Sequence, residues 1–406
     1  MPSSVSSTSP QPAKPTLPQD RPDALGLSSQ RLQKMSDAFK REIDKGTTPG
    51  VIILVARRGA VAWFEAMGRQ SPTSDRPMSP DSIFRIFSMT KPIVSIGAMQ
   101  LVEDGELLLD DPLTKYIPEF SNQSVAVLSG GNLELRPLNR PITIQDLLRH
   151  TSGLAYDHIG VGPVQKMYQQ AQVNSRKITN AEHASRIASL PLLCQPGTAW
   201  NYSRSTDVIG RVIELVSGRS LGTFLTERVL TPLGMNDTGF HTAAANKSRI
   251  AEPFATDPWT GDQMVLFDPL EVPVMESAGG GLVSTTMDYA RFCQMLLNGG
   301  TLEGTRIIGR KTLQLMTANH LAPNLPTDAS VLPPGHGFGL GFAVRTGAGF
   351  APFSGSAGQF FWSGIAGTFF WVDPVEQLFA VMMSQGPGQH DYYRSLVRDV
   401  VYAAVE

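Results

Sequence analysis

The residues of this chain that could do chemistry together are a serine and the lysine three positions after it, Ser88 and Lys91. A spacing of three residues is about one helical turn, so it would bring the amine against the hydroxyl on one helix face. A serine hydroxyl is a weak nucleophile until a base accepts its proton, and a desolvated lysine can be that base. The pair therefore indicates nucleophilic catalysis by a serine.

Taken alone, this spacing is a weak signal. A chain of 406 residues contains about one or two Ser-x-x-Lys matches by chance. The alternative interpretation is a helix-capping serine followed by a surface lysine. Pro92 comes next and disfavours helical geometry at the residue before it, although a first turn tolerates proline. We therefore expect Ser88 near a helix N-terminus, where the helix dipole favours developing negative charge, without fixing where that helix begins.

The elements that must position this pair predict an α+β fold. Predicted strands are 51–56, 60–67, 359–362, 368–372 and 378–383, and predicted helices at the two ends are 29–45 and 391–405. Between the ends, most apolar residues recur with a helical period. Both chain ends thus supply an antiparallel sheet flanked by helices, an α/β sandwich into which a large helical lobe is inserted. We expect residues 26–87 and 300–406 to form the sheet lobe and residues 88–299 the helical lobe, with the active site in the cleft between them.

Composition limits the class of protein. Hydrophobic residues are 41% and charged residues 17% of the chain, as in ordinary globular proteins. The net charge of −2 gives no reason to expect a nucleic acid or a membrane as partner, and no segment is long and apolar enough to span a bilayer. An oligomer is compatible with the sequence but is not implied by it.

The N-terminus and the cysteines add expectations about location and cofactors. Residues 1–24 are rich in Ser and Pro, are predicted to be disordered, and do not resemble a secretory signal, so a cytoplasmic location is expected. Two distant cysteines and the absence of metal-binding or nucleotide-binding motifs predict neither a metal nor a cofactor.

Two further features strengthen the chemical interpretation of the serine–lysine pair. Tyr202 follows a Pro-Gly turn and precedes a helix predicted from Asp207. Trp362-Ser363-Gly364 stands at the end of a predicted strand near the C-terminus. Each has an ordinary alternative, since Tyr202 could be a core tyrosine and Trp362 a sheet residue.

In this order, Ser88-x-x-Lys91, Tyr202-Ser203 and Trp362-Ser363-Gly364 resemble the class C β-lactamase-like serine hydrolases of the penicillin-binding-protein fold. The supporting phrases are residues 150–154, 232–235, 278–282 and 337–341. Within that family the chain is most similar to the family VIII carboxylesterases, because it departs from the β-lactamase pattern at two motifs. Tyr-x-Asn is replaced by Tyr202-Ser203-Arg204, and Lys-Thr-Gly by the Trp362 tripeptide. An indole cannot replace a lysine's charge but can stack on a neutral group, so uncharged esters are the expected substrates.

The resemblance implies roles for individual residues. Ser88 would attack the ester carbonyl, Lys91 would accept the serine proton, and Tyr202 would pass that proton to the leaving alkoxide. Whether Lys91 or Tyr202 is the first base stays open, because the two should titrate as a coupled pair. The oxyanion hole would be the backbone N–H groups of Ser88 and Ile365.

The resemblance also implies a substrate pocket lined by Trp362, Tyr156 and Gly364, with Trp200 as a further candidate. His150 invites a Ser-His-Asp interpretation, but in this family's phrase it is a structural histidine. Asp207 either orients the site or caps the following helix.

One motif points to a different serine. Gly218-Arg219-Ser220-Leu221-Gly222 matches the Gly-x-Ser-x-Gly nucleophile elbow, which requires a strand before the serine and a helix after it. The preceding segment has a helical period instead. We therefore interpret Gly218 as a helix C-cap and Ser220 as the N-cap of the next helix.

The resemblance predicts a serine esterase that hydrolyses short-chain carboxylic esters through an acyl-enzyme on Ser88, with a small-molecule ester as its partner. One alternative is an acyltransferase of the same fold that passes the acyl group to an alcohol, as statin acyltransferases do. A second is a β-lactamase or peptidase with weak ester activity. A third is a catalytically silent member used for binding.

Overall fold

The computed structural model describes residues 16–386, 388 and 390–406. Its strands are β1 (Gly50–Arg57), β2 (Ala60–Gly68), β3 (Ile83–Arg85), β4 (Ser124–Ser129), β5 (Asn132–Pro137), β6 (Val283–Thr285), β7 (Thr301–Leu302), β8 (Thr305–Arg306), β9 (His336–Phe338), β10 (Ala343–Arg345), β11 (Phe360–Ser363), β12 (Phe369–Asp373) and β13 (Leu378–Ser384). Its α-helices are α1 (Ser29–Asp44), α2 (Thr90–Glu103), α3 (Ile144–Leu148), α4 (Pro163–Gln170), α5 (Asn180–Ala188), α6 (Ser205–Ser217), α7 (Leu221–Leu225), α8 (Thr286–Leu297), α9 (Arg310–Met316) and α10 (His390–Tyr402).

The central sheet is built from both ends of the chain, as predicted. Its strand order is β2-β1-β13-β12-β11-β10-β9, and every neighbouring pair is antiparallel. The two ends meet where β1 pairs with β13, from Val51 opposite Ser384 to Arg57 opposite Leu378. Every residue of both strands is buried, which is typical of strands covered on both faces. The α+β class is therefore confirmed.

Helices cover the sheet on two opposite faces. On β12, Phe370 contacts Tyr289 of α8 at 5.0 Å between ring centroids, whereas the next residue back, Phe369, lies beneath the guanidinium of Arg398 on α10. Successive side chains of a strand point to opposite faces, so α8 and α10 lie on opposite sides of the sheet. Phe39 of α1 packs on Tyr393 of α10 and adds α1 to that layer.

The inserted segment is mainly helical, with two departures from expectation. Its β4–β5 hairpin turns at Gly130 and Gly131, both with positive φ, and its alternating Val, Leu and polar residues carry a period-two signal that the helical periodicity of the surroundings obscured. Helix α8, which the sequence placed in the helical lobe, packs on β13, β1 and β12 of the sheet. The boundary expected at residue 299 therefore does not follow the packing.

The segment expected to be disordered is ordered wherever the structure describes it. Residues 1–15 lie outside the described residues, but Leu17 is buried and the N–H of Asp20 donates to the carbonyl of Val61 at 3.1 Å. A short 3₁₀ helix follows at Pro22–Leu25. The expectation was wrong for residues 16–24 because this segment covers β2, an edge strand whose free backbone groups accept a partner, and composition carries no information about such pairing.

In the described part of the chain, no helix combines the length and the apolar character needed to cross a membrane. Helix α2, which follows the predicted nucleophile, is buried on nearly all sides and packs against helices α6 and α7. A helix that is apolar all round belongs inside a core, so any polar side chain it carries must be matched by buried partners.

Candidate active site

Ser88 lies in a tight turn between strand and helix. It occupies a short 3₁₀ helix, Phe87–Met89, that connects β3 to α2. Phe87 has φ of 43°, a left-handed conformation that is strained for a bulky residue and is found where the surrounding structure imposes it. The α-helix begins only at Thr90, so Pro92 falls within its first turn, where a missing N–H costs nothing. The sequence left open where this helix begins. In the structure a 3₁₀ helix that contains Ser88 comes first, and the α-helix with Pro92 follows it.

Lys91 points from α2 into the protein beside Ser88. Its Nζ lies 3.0 Å from Ser88 Oγ and 2.5 Å from the carbonyl oxygen of Gly279, and the residue is 1% exposed. Burial lowers the pKa of Lys91 from its usual 10.5 to about 7, while the Asp207 carboxylate raises it and the Arg204 guanidinium lowers it further. A substantial fraction of this amine is therefore neutral near pH 7, with its nitrogen within hydrogen-bond distance of the Ser88 hydroxyl.

Tyr202 completes the cluster from the loop before α6. The Lys91 Nζ lies 4.7 Å from the centroid of its ring, and the indole Nε1–H of Trp362 donates to its hydroxyl oxygen at 3.1 Å. Burial raises the pKa of Tyr202, against smaller lowering effects of hydrogen bonds with Ser88 and Trp362. The phenol is therefore protonated at neutral pH.

The Gly279 carbonyl that receives Lys91 is itself held by Asp207. One carboxylate oxygen of Asp207 accepts hydrogen bonds from Ser277 Oγ at 2.7 Å and from the Gly279 N–H at 2.9 Å. A Cβ at position 279 would lie 2.6 Å from this carboxylate, so only glycine fits. Asp207 lies inside the first turn of α6, whose N-cap is Arg204. Of the two roles left open by the sequence, the structure favours orientation of the site.

The turn after β11 is held against the segment that carries Ser88. At Gly364 a Cβ would lie 2.5 Å from the Ile86 carbonyl oxygen and 2.2 Å from Thr368 Oγ1, so this glycine allows the two chain segments to touch. Thr368 Oγ1 also donates to Ile86 at 3.2 Å. Ile365 follows directly, and none of the hydrogen bonds in the described part of the chain uses its N–H. The structure thus brings Ser88, Gly364 and Ile365 to the same end of the sheet.

The aromatic candidates divide into two groups. Tyr156 lies 5.2 Å from Tyr202 and Trp362 lies 5.1 Å from it, measured between ring centroids, so both border the Ser88 cluster. Trp200 is 1% exposed and stacks behind Tyr202 against Phe338. It therefore supports the ring of Tyr202 and does not line a pocket.

Two alternatives raised by the sequence have hydrogen-bond partners other than Ser88, Lys91 and Tyr202, although the ring of His150 packs 4.9 Å from that of Tyr202. His150 is buried, with Nδ1 3.3 Å from Ser203 Oγ, and burial lowers its pKa well below the usual value, so it stays neutral. Ser220 is the N-cap of α7 and accepts from the Thr223 N–H at 3.2 Å, after α6 has ended at the left-handed Gly218. No strand precedes it, so the nucleophile-elbow motif has the capping role that we predicted.

Two features of the site escaped the sequence analysis. The indole of Trp362 was expected only to line the pocket, yet its N–H serves Tyr202. Arg394 of α10 reaches the turn after β11 and donates from Nη2 to the Gly364 carbonyl oxygen at 2.8 Å. Neither contact has a local signal, since 160 residues separate the first pair and 30 the second.

A seven-stranded sheet that presents a Ser-x-x-Lys pair with a buried lysine beside a tyrosine is the arrangement of a β-lactamase-like serine enzyme. The sequence profile described as Beta-lactamase matches residues 35–404, and the chain belongs to that family, as its motifs predicted. It is 35% identical over 362 residues to protein Rv1367c of Mycobacterium tuberculosis, a match that covers 86% of this chain and 89% of that protein.

Two further relatives carry descriptions of activity. Esterase EstB of Burkholderia gladioli is 31% identical over 398 residues, covering 94% of this chain and 98% of EstB. The solved structure of EstCE1, described as a hydrolase with promiscuous acyltransferase activity, superposes with a TM-score of 0.78 and 28% identity over 92% of this chain and 99% of that one.

Proposed function

We propose that this protein is a serine carboxylesterase that hydrolyses short-chain esters through an acyl-enzyme on Ser88. The observation that carries the proposal is the fully buried Lys91 amine, 3.0 Å from Ser88 Oγ, with its pKa lowered to about 7. A lysine that is neutral at physiological pH can accept a serine proton, whereas an exposed lysine cannot. The similarity to esterase EstB supports the ester as substrate class.

In the acylation step, Lys91 takes the proton of the Ser88 hydroxyl while Oγ forms a bond to the ester carbonyl carbon. The π electrons of the carbonyl move to its oxygen, and the backbone N–H groups of Ser88 and Ile365 stabilise that oxyanion. This assignment makes Lys91 the first base, because the raised pKa of Tyr202 keeps the phenol protonated at the pH where Lys91 is already partly neutral. The sequence alone had left that choice open.

Collapse of the tetrahedral intermediate requires a proton for the leaving alkoxide. Tyr202 supplies it and is reprotonated from Lys91, so the proton taken from Ser88 leaves with the alcohol. The Trp362 N–H occupies one lone pair of the Tyr202 oxygen, which orients the phenolic proton toward the site and stabilises the phenolate formed during transfer. Water then attacks the acyl-enzyme, and the same groups act in reverse to release the acid.

The charges around the site favour an uncharged ester. Arg204, which stands where the β-lactamase pattern has an asparagine, is 2.8 Å from Asp157 and 3.6 Å from Asp207, and its guanidinium lies 4.9 Å from the centre of the Tyr156 ring. Its cation is therefore satisfied within the protein. Trp362 contributes a neutral indole where that pattern has a lysine. Neither residue offers a free charge to a substrate carboxylate.

A second candidate is transfer of the acyl group from Ser88 to an alcohol in place of water. It rests on the similarity to EstCE1, whose description includes promiscuous acyltransferase activity. The same acyl-enzyme would serve both reactions, so only the acceptor differs.

The test combines p-nitrophenyl acetate, butyrate and octanoate with nitrocefin, and an intact mass at early times. We expect a burst of p-nitrophenol, an acyl adduct on Ser88, and turnover of butyrate far above that of nitrocefin. Ser220→Ala is the matched serine control and should keep the burst, the acyl adduct and the preference for butyrate over nitrocefin. Rapid nitrocefin turnover would instead assign β-lactamase activity, and ester product formed from an added alcohol would assign acyl transfer.

A further inference from the structure

Arg394 is a largely buried cation that has no role in the reaction steps of the proposed function. It lies on α10 behind β11, its side chain is 16% exposed, and its Nη2 donates to the Gly364 carbonyl oxygen at 2.8 Å. Its Nη1 pairs with Asp391 at 3.0 Å, and its Nε has no hydrogen-bond partner among the described residues. The hydrogen bond that this guanidinium donates to Gly364 is its contact on the side of the active site.

The acceptor of that hydrogen bond belongs to a peptide group with a proposed role. The carbonyl of Gly364 and the N–H of Ile365 are two ends of one planar, resonant amide. A cation that donates to the oxygen draws electron density from the nitrogen, so the N–H becomes a stronger donor, as in cooperative hydrogen-bond chains. Strengthening that donor matters most when its acceptor is an oxyanion.

We propose that Arg394 is a positioning residue that orients and polarises the Gly364–Ile365 peptide, so that the Ile365 N–H stabilises the oxyanion of the ester reaction. This inference rests on the proposed function, because it takes the Ile365 N–H as an oxyanion donor. Arg394 donates its hydrogen bond to this peptide and to none of Ser88, Lys91 and Tyr202. Its charge also acts on Tyr202 through space, an effect that would change both esters alike, whereas the oxyanion effect changes the oxygen-over-thiono preference.

The surrounding contacts hold the peptide where Arg394 can act on it. The Gly364 carbonyl also accepts from the Gly367 N–H at 3.1 Å, and the Gly364 N–H donates to Thr368 at 2.8 Å. The tight approach of Gly364 to Ile86 leaves no space for the turn to slide. The plane of the peptide is therefore defined by donors on one side and by close backbone packing on the other.

The charge of Arg394 is only partly neutralised. Among the described residues its ion-pair partner is Asp391, whose side chain is 82% exposed, and an exposed carboxylate in water screens a cation weakly. The inward-facing positive charge thus remains available to the Gly364 carbonyl. This distinguishes Arg394 from Arg398, one turn further along α10, whose guanidinium lies over the rings of Phe353, Phe361 and Phe369.

The experiment compares Arg394→Met and Arg394→Lys using p-nitrophenyl butyrate and its thiono analogue, whose sulfur is a poor hydrogen-bond acceptor. Loss of a full oxyanion donor costs about 10²–10³-fold in kcat, so removal of its polarising partner should cost about tenfold, with KM little changed. The preference for the oxygen ester over the thiono ester should fall by the same factor. Arg394→Lys, which keeps a positive charge, should recover part of the lost rate and part of the lost oxygen-over-thiono preference.

Two controls separate this role from general support of the fold. Asp391→Asn removes the exposed partner and should leave both the rate and the oxygen-over-thiono preference as they are. Arg398→Met should lower stability without moving that preference. Equal losses for both esters in Arg394→Met, or an unchanged rate, would overturn the proposal. Absence of any Ser88-dependent ester turnover in the wild type would instead refute the proposed function, and if Arg394→Met does not fold, Arg394→Lys alone must show the reduced preference.

Discussion

Ser88 and Ser220 both stand in sequence motifs associated with serine nucleophiles, yet the structure surrounds them differently. Ser88 lies 3.0 Å from a buried amine, which itself lies 4.7 Å from the centre of the Tyr202 ring. Ser220 is exposed, and its hydroxyl hydrogen-bonds Thr223, three residues away, where it caps α7. A motif thus specifies local geometry, and reactivity arises only where a desolvated base is brought to the hydroxyl.

The charged neighbours of the two serines show the same contrast. Lys91 beside Ser88 is held by a backbone carbonyl in the interior, where its charged form is unfavourable. Arg219 beside Ser220 is half exposed and pairs with Glu227 on the surface. An arginine side chain does not act as a base in proteins. The difference between the two neighbours is therefore one of burial and residue type.

The largest effect should come from removing each hydroxyl in turn. Ser88→Ala should lower ester turnover by at least about 10⁴-fold, since no acyl-enzyme can form. Ser220→Ala should stay within about twofold of wild type, because changes at an exposed cap do not reach the site. Steady-state rates with p-nitrophenyl butyrate and an intact mass after acylation provide the measurement. Activity lost in Ser220→Ala while the protein stays folded would reverse the assignment.

The second effect concerns the base and acid around Ser88. Lys91→Met and Tyr202→Phe should each lower kcat by about 10²–10⁴-fold, as expected for general acid–base groups. The double variant should lose little more than the worse single variant, because the two residues act as a unit. The exposed Lys311 offers a matched control, and Lys311→Met should keep full activity. If the rate losses of the two single variants multiplied in the double variant, Lys91 and Tyr202 would not act in one proton-transfer path.

The third effect is on the pH dependence of the reaction. Protonated Lys91 cannot accept the Ser88 proton, so kcat/KM should rise with pH and level off above an apparent pKa of about 7. Below that value it should fall about tenfold for each pH unit. Ser220→Ala should reproduce the same profile. A profile that is flat from pH 5 to 9 would show that Lys91 is not the titrating base.

The smallest effects are on stability, and they should have opposite signs at the two sites. Ser220→Ala removes an N-cap and should lower the free energy of unfolding by about 1 kcal/mol at any pH. Lys91→Met removes a buried charge and should raise it, since folding of the wild type must lower the lysine pKa from 10.5 to about 7.

The gain from Lys91→Met should itself depend on pH. Below about pH 7 the wild-type lysine is charged in both states and the burial penalty is complete, whereas between pH 7 and 10.5 the folded lysine is neutral and the penalty shrinks. The stabilisation should therefore be largest at pH 6.5 and smaller at pH 9.5 in urea denaturation. A gain of the same size at both pH values would mean that Lys91 stays charged in the folded protein.

Much of the fold was accessible from the sequence because its signals are local. The strands at both chain ends and the helices α1 and α10 fall close to the predicted segments, and α6 begins close to Asp207 as expected. The order of residues 16–24 was not predictable, because it depends on Asp20 meeting the edge of β2. The β4–β5 hairpin was missed because its short alternation lies among longer helical patterns.

The candidate site likewise has a part that the sequence predicted and a part that it could not predict. Ser88, Lys91 and Tyr202 were predicted from motif order, and the structure brings them together. The contact of Trp362 with Tyr202 and that of Arg394 with Gly364 join residues far apart in the chain, so no spacing could predict them.

By itself, the sequence determined which residues can react and which elements carry them, since both follow from residue type and short-range periodicity. Only the tertiary structure decided which serine has a base. The Lys91 amine meets the Gly279 carbonyl across 188 residues of chain, and burial there lowers its pKa. Desolvation depends on all the atoms packed around a group. A short motif therefore identifies the lysine, but the surroundings that lower its pKa and make it a base come from distant parts of the chain.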